Sequence, residues 1–393
     1  MSSANQVEAF DYWIRTSFVE MNTELENLYF AQENPALVRN CGDSIKMVLH
    51  NEGHSHVITL LKIQDIKKHK DIFLDLLGNV GFYFAALRRH ELTNPAQEIC
   101  SPFIEASALA LQAGLYTGMV PRFATAHLTI RNKAIAGKLK SFTSLPDELL
   151  FIDENTRGIF SFQRAANAVK NWVYVGASSP IADIFYTDAK QALENVFYFN
   201  SRLFERLDVK RFFFSVRPYY KPYRVGQQEY RGANAGDFSG INELDLLLGL
   251  FTLDDYFYLQ LLTNKMFFML PSDRDRLQDC FDQLSLLDEL LNLSKHHAHT
   301  DWFQQNVIGF LEVCEIYKQI AIQHHKSLVK HFIEEPATQT NTYEAEDITA
   351  SGPPLSVVIK ELERLRDVRS AVFHQDVATR YADMMKLKKM VGM

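Results

Sequence analysis

Residues 211–250 read RFFFSVRPYYKPYRVGQQEYRGANAGDFSGINELDLLLGL, and this stretch guides the interpretation of the whole chain. It sets arginines among aromatic side chains, continues into a glycine-rich turn and ends in an apolar helical pattern. Aromatic faces can enclose a planar ring, and an arginine fork can pair with a carboxylate. Two interpretations stay open at this point. The stretch is either an aromatic core with a surface turn or a pocket for an aromatic ligand that carries an anionic group.

Outside this stretch, apolar residues recur every three or four positions, as in 10–21 and 72–87. This spacing predicts amphipathic helices, and the alternation typical of strands is scarce. Helices are predicted over 102–114, 158–175, 187–207, 239–250, 254–269, 274–291, 302–334 and 355–372. We therefore predict a mainly α fold, with a smaller N-terminal helical region over 1–150 and a large helical domain over 151–393. The polar, aperiodic segment 336–351 is interpreted as a mobile loop.

The composition limits the classes of function. With 393 residues, 47% hydrophobic and 23% charged, the chain is globular in character. A net charge of −7 argues against a nucleic-acid-binding protein, which needs clustered basic residues. The four cysteines show no CxxC spacing, and neither a secretory signal nor a long apolar run is present. We expect a cytoplasmic protein that binds neither nucleic acid nor a membrane.

One histidine lies on the apolar face of the predicted helix 302–334. At about 100° per residue, His325 falls among Leu311, Cys314 and Val329, whereas its neighbour His324 falls on a more polar face. An inward histidine is either a hydrogen-bonded core residue or an axial ligand of haem iron. The two roles cannot be separated by periodicity.

Other catalytic motifs are missing from the sequence. Neither HExxH nor GxSxG occurs, and the glycine-rich stretch 226–240 does not follow a strand of a βαβ unit. Glu243 and Asp245, near the start of an apolar helix, are interpreted either as a general-base pair or as carboxylates that favour the helix dipole.

Six segments of the chain match a known pattern: VGFYFAALRRH (80–90), VPRFATAHLTIRN (120–132), LPDE (145–148), VRPYYKPYRVG (216–226), DLLLG (245–249) and the helix end 325–333. Together they resemble the superfamily of haem-dependent indoleamine 2,3-dioxygenases and tryptophan 2,3-dioxygenases. The resemblance is closest to the monodechloroaminopyrrolnitrin synthase branch, and it covers nearly the whole chain.

The resemblance implies a helical dioxygenase-like fold with a large haem-binding domain, and it assigns roles to residues. His325 corresponds to the proximal ligand of the iron of haem b. Arg217 corresponds to the residue that binds the substrate carboxylate, with Phe213 and Phe214 lining the ring pocket. The remaining matches are polar positions and a lid: Asn234 near haem and substrate, Asn167 at the distal position, and Gly352 at the start of a mobile loop over the substrate.

The chain also departs from the family pattern. The indoleamine enzymes carry an arginine before the proximal histidine, which pairs with an aspartate and a haem propionate. Here the aspartate is Asp245, but the arginine position is Ile322. Pro353 and Pro354 replace glycines of the lid and remove two amide donors. We therefore expect the propionates and the lid to make different contacts.

The function implied is a haem-dependent oxygenase that acts on tryptophan or a related indole, with dioxygen as co-substrate. Dioxygenation and oxidative ring rearrangement are both open. The alternative is a non-catalytic protein of the same fold that binds haem or an aromatic ligand. A homo-oligomer is possible, and the sequence leaves the oligomeric state open.

Overall fold

The computed structural model describes residues 3–62, 70–335 and 355–393. Most of these residues are helical. The α-helices are Ser3–Arg15 (α1), Ser17–Phe30 (α2), Asp43–Leu61 (α3), Lys70–Arg89 (α4), Ile104–Thr117 (α5), Pro146–Val175 (α6), Ala182–Arg206 (α7), Val209–Arg211 (α8), Ser239–Leu247 (α9), Tyr256–Met266 (α10), Pro271–Gln278 (α11), Leu286–His297 (α12), Asp301–Gln323 (α13), Leu355–Arg369 (α14) and Tyr381–Met390 (α15).

Shorter or less regular elements join these helices. They are the 3₁₀ turns Pro95–Gln97, Thr125–His127 and Arg217–Tyr220, the π-helices Phe212–Val216 and His324–Glu334, and the strands Tyr223–Val225 (β1) and Gln228–Tyr230 (β2). The two strands form an antiparallel hairpin in which Tyr223 lies opposite Tyr230. The prediction of a mainly α fold is confirmed.

Most helix ends differ from the prediction by up to five residues, and two differences are larger. Helix α6 begins at Pro146, twelve positions before the predicted start at 158, because proline at the first position is favourable and Gly158 is tolerated inside the helix. The single helix predicted over 274–291 is wrong. The chain breaks after α11, and Ser285 caps α12 by accepting a hydrogen bond from the backbone N–H of Asp288.

The apolar side chains of the described residues form two large cores and a small third cluster around Leu25, Tyr29 and Val38. The first contains residues of α1–α5 together with the aromatic tract, for example Phe212 and Tyr223. The second contains residues of α6, α7 and the helices from α9 onward. Ile320 belongs to the second core and Phe332 to the first, so the chain between them passes from one core to the other. His325 lies in this passage. The division near residue 150 stays a prediction.

None of the helices in the described ranges combines the length and the apolar character needed to cross a lipid bilayer.

Candidate functional site

Two π-helical segments form the centre of the candidate site. In the part of the chain that the structure describes, π-helical backbone occurs over Phe212–Val216 and His324–Glu334. The rings of Phe212 and Phe332 meet edge to face, with centroids 6.1 Å apart, so the two segments pack together. The first carries the predicted ring pocket and the second carries the predicted iron ligand. Inserted π-turns are frequent at functional sites.

His325 is buried, with 2% of its surface exposed, as its helical position predicts. Its Nε2 atom is 3.6 Å from Oε1 of Glu363 on α14. This distance is too long for a hydrogen bond, and the pair attracts only when the imidazole is protonated. Glu363 is 42% exposed and can move away from the ring at little cost. Helix α14 is therefore an element that faces the candidate ligand.

The neighbouring histidine has a different environment. His324 is half-buried, and burial lowers its pKa to about 4, with a further contribution from the positive charge of Arg369. Lys265 acts on its pKa in the same direction. His324 is thus a neutral imidazole beside two cations.

Arg217 carries a half-buried guanidinium that has no carboxylate partner in the described part of the chain. Its guanidinium carbon lies 5.6 Å from the centre of the Phe213 ring, and its side chain forms no hydrogen bond or salt bridge with any residue that the structure describes. Burial lowers its pKa to about 10. Phe213 is fully buried and meets Phe214 edge to face at 5.1 Å. A carboxylate bound here would offset the desolvation of the guanidinium.

The other arginines of the aromatic tract all have partners. Arg211 lies over the ring of Phe30 at 3.8 Å. Arg224 donates to the backbone carbonyl of Pro95 at 3.1 Å. Arg231 forms a bidentate pair with Asp237 at 2.8 and 2.9 Å. These contacts support the choice of Arg217 as the ligand-binding arginine.

The glycine-rich loop is fixed from within. Asn234 is exposed, and its Oδ1 accepts a hydrogen bond from the N–H of Gly236 at 2.9 Å. The hydroxyl of Thr125 donates to the backbone carbonyl of Asn234 at 2.7 Å. Beyond the loop, a Cβ at Gly240 would come within 3.2 Å of the α6 backbone, so glycine there permits close helix packing. The loop therefore has a defined shape.

Asp245 is held by a residue that sequence reasoning missed. Arg369 of α14 donates to it twice, from Nε at 2.8 Å and from Nη2 at 2.7 Å. Burial opposes the charge of Arg369, but Asp245 outweighs this effect and raises the pKa of the guanidinium. Tyr258 and Tyr317 also donate to the carboxylate. The arginine missing at Ile322 is thus supplied from the C-terminal helix.

The second carboxylate of α9 also has an arginine partner. Glu243 is buried and pairs with Arg276 at 3.0 and 3.2 Å. Both Glu243 and Asp245 are therefore ion-paired, which favours a structural role over the general-base interpretation.

Lys265 is the second site residue that sequence reasoning missed. It is half-buried on α10, and its Nζ lies 3.7 Å from the position that a Cβ of Gly236 would take. No salt bridge or side-chain hydrogen bond joins it to a described residue. Burial, and then the charge of Arg369, lowers its pKa to about 8. In the sequence, Lys265 stands out only as the single charged residue of its helix, YFYLQLLTNKM.

The family model described as monodechloroaminopyrrolnitrin synthase PrnB matches residues 4–391. The chain belongs to the PrnB family. This family consists of haem-dependent oxygenases that use dioxygen and a tryptophan-derived substrate, and membership gives the chain the same coarse function.

The residues present suit the haem of a PrnB-family enzyme. Haem needs an axial nitrogen in apolar surroundings and cations near its two propionates. His325 supplies a buried imidazole, and the packed rings of Phe212 and Phe332 lie on the same pair of segments. Lys265 and Arg369 supply positive charge beside His324, the immediate neighbour of His325.

Two predicted positions of the PrnB-family site have no described contact with His325 or Arg217. Asn167 lies on the exposed side of α6, and its distal role stays a prediction. Gly352, Pro353 and Pro354 lie outside the described residues, as does the predicted loop 336–351, so the lid also stays a prediction.

Proposed function

We propose that the protein binds haem b through His325 and oxygenates tryptophan or a related indole whose carboxylate pairs with Arg217. The observation that carries this proposal is the guanidinium of Arg217, which lies on the ring of Phe213 and has no salt-bridge partner among the described residues, in elements that pack against the helix of His325. A cation held over an aromatic wall suits a planar ring with an anionic group.

The protein residues have separate tasks in this proposal. Haem, when bound, supplies the binding and activation of dioxygen. Phe213 and Phe214 position the indole ring, and Arg217 fixes its orientation through a bidentate pair with the carboxylate. A pKa of about 10 keeps Arg217 charged at neutral pH. The buried aromatic surroundings exclude water from the reacting ring.

We further infer that Lys265 and Arg369 hold the haem propionates in place of the arginine missing at Ile322. Asp245 uses Nε and Nη2 of Arg369, which leaves Nη1 as a donor. Lys265 has three N–H donors and no partner among the described residues. Each propionate can thereby receive a charge-assisted hydrogen bond.

A ligand series tests the role of Arg217. The haem-loaded protein is titrated with L-tryptophan, with tryptamine, which lacks the carboxylate, and with indole. We expect L-tryptophan to bind more tightly than tryptamine, and we expect Arg217→Gln to remove this preference while indole binding is retained. If the variant kept the wild-type preference for L-tryptophan over tryptamine, the proposal would be contradicted.

A turnover experiment tests the oxygenase assignment. The protein is reduced without oxygen, mixed with L-tryptophan and then exposed to ¹⁸O₂, and products are analysed by mass spectrometry. Labelled product supports oxygenation, and the number of labelled atoms separates dioxygenation from ring rearrangement. If haem and indoles bind but no indole of a broad panel is converted, the non-catalytic alternative is favoured.

A further inference from the structure

Helix α5 exposes an unbroken apolar stripe. Ile104, Ala108, Leu111 and Leu115 are all exposed, and their spacing of four, three and four residues places them along one side of the helix. Ile104 is 72% exposed and Leu115 is 81% exposed. Single exposed apolar residues are ordinary, but a complete stripe without a polar residue is not.

A polar border surrounds this α5 stripe. On the side of α3, Glu105 lies 3.6 Å from Nε2 of His54. On the opposite side, the hairpin turn presents the exposed side chains of Gln227 and Gln228. The turn adjoins α5 because Gly226 donates to the hydroxyl of Ser107 at 3.0 Å. An apolar centre with a polar rim is the usual anatomy of a protein interface.

The two ends of α5 carry opposite charges. Glu105 lies in the first turn of the helix. Arg274 lies at the other end, where its Nη1 donates to the carbonyl of Gly118 at 2.7 Å. Gly118 continues the stripe, three residues after Leu115, and the described residues offer Arg274 no carboxylate. The helix is therefore complementary in charge to an antiparallel copy of itself.

We propose that the protein forms a two-fold symmetric dimer in which the α5 stripes of two copies pack antiparallel. Ile104 then faces Leu115 of the second copy, and Ala108 faces Leu111. In this register Glu105 lies about 6 Å along the axis from Gly118 of the second copy, at 1.5 Å per residue, within reach of Arg274. Such an isologous contact closes after two copies.

The exposed area suits this partner. The stripe alone exposes roughly 400 Å² of apolar surface, the size of the largest apolar patch on a typical monomer, which is often functional. Ile99, 91% exposed before α5, and Phe267, 55% exposed beside Val120 at its end, add apolar surface at both ends. Together these residues expose about 650 Å² per copy, and the polar rim brings this toward the roughly 800 Å² per partner of a standard interface.

Sedimentation velocity on the full-length protein at micromolar concentrations tests the proposal. We expect a dimer for the wild type and a monomer for Leu115→Lys, with the dissociation constant raised at least about a hundredfold by the unpaired charge. Ile104→Lys is a second variant with the same expectation. Leu149→Lys, at an exposed position of α6, is the matched control and keeps the dimer. Circular dichroism confirms that each variant is folded.

A charge exchange tests the antiparallel register. Glu105→Arg and Arg274→Glu should each weaken the dimer, and the double variant should restore it, since the opposite charges again face each other. A wild-type monomer throughout the concentration range would overturn the proposal. So would a Leu115→Lys variant that dimerises like the control, or a double variant weaker than both single ones.

Discussion

At the level of single residues, the cations near the candidate site fall into two kinds. Arg369 and Arg231 are neutralised by bidentate carboxylates, whereas Arg217 and Lys265 form no salt bridge with a described residue, and Lys265 feels Asp237 and Asp245 only at longer range. A desolvated charge without a partner destabilises the free protein. Selection for stability does not explain such residues, and selection for an anionic ligand does.

This difference predicts opposite effects of the same substitution. Arg369→Gln should lower the free energy of unfolding by about 3–5 kcal/mol, because it leaves Asp245 buried without its cation. Arg217→Gln should leave that free energy unchanged or raise it, because it removes a desolvated charge. Urea denaturation of the haem-free protein measures both. Equal losses in the two variants would mean that Arg217 has a structural partner.

The lowered pKa of Lys265 predicts a pH-dependent affinity for haem. A propionate binds the protonated amine, and the free protein loses that proton as the pH rises through about 8. Haem affinity should therefore be constant below pH 8 and fall above it, because binding must then take up a proton. Soret-band titrations of the haem-free protein between pH 7 and 9.5 measure this dependence.

Lys265→Gln is the control for that titration. We expect it to weaken haem binding at pH 7 by about tenfold or more, the loss of one charge-assisted hydrogen bond, and to remove the fall above pH 8. A variant with the wild-type affinity and the wild-type slope would exclude Lys265 as a propionate partner.

At the level of elements, periodicity predicted most of the long helices, but it did not predict α3 or which segments are π-helical. It placed His325 on an inward face correctly because neighbours along a helix determine that face. It joined α11 and α12 because it took no account of the Ser285 cap. It could not find the pair of Arg369 with Asp245, which are 124 positions apart and belong to helices that meet only in the folded protein.

The contact between the two π-helices makes an element-level prediction. Phe332→Ala should lower the free energy of unfolding by about 3–5 kcal/mol and also weaken haem binding, because the helix of His325 loses its anchor on Phe212. Phe303→Ala, at the fully buried start of α13 in the second core, is the matched control. It should cost similar stability with little effect on haem affinity. Equal haem affinities in the two variants would contradict this role for Phe332.

At the level of the whole molecule, the candidate site lies where the two cores meet, and ligand sites are common at such junctions. The mainly α fold and the family could be predicted from the sequence, because the first depends on periodicity and the second on motifs spread over the chain. The absence of a described carboxylate beside Arg217 could not be predicted, because it depends on every element that surrounds the side chain. The opposite charges at the two ends of α5 could not be predicted either, because Arg274 reaches one of these ends only in the folded protein.

The central claim is that His325 binds the haem iron, and one measurement tests it most directly. Absorption spectra of the reduced, haem-loaded protein are compared for the wild type, His325→Gly and His324→Gly, each with and without added imidazole. We predict that His325→Gly loses the wild-type Soret band, that imidazole restores it, and that His324→Gly keeps it. An unchanged band in His325→Gly, or a loss confined to His324→Gly, would contradict the account.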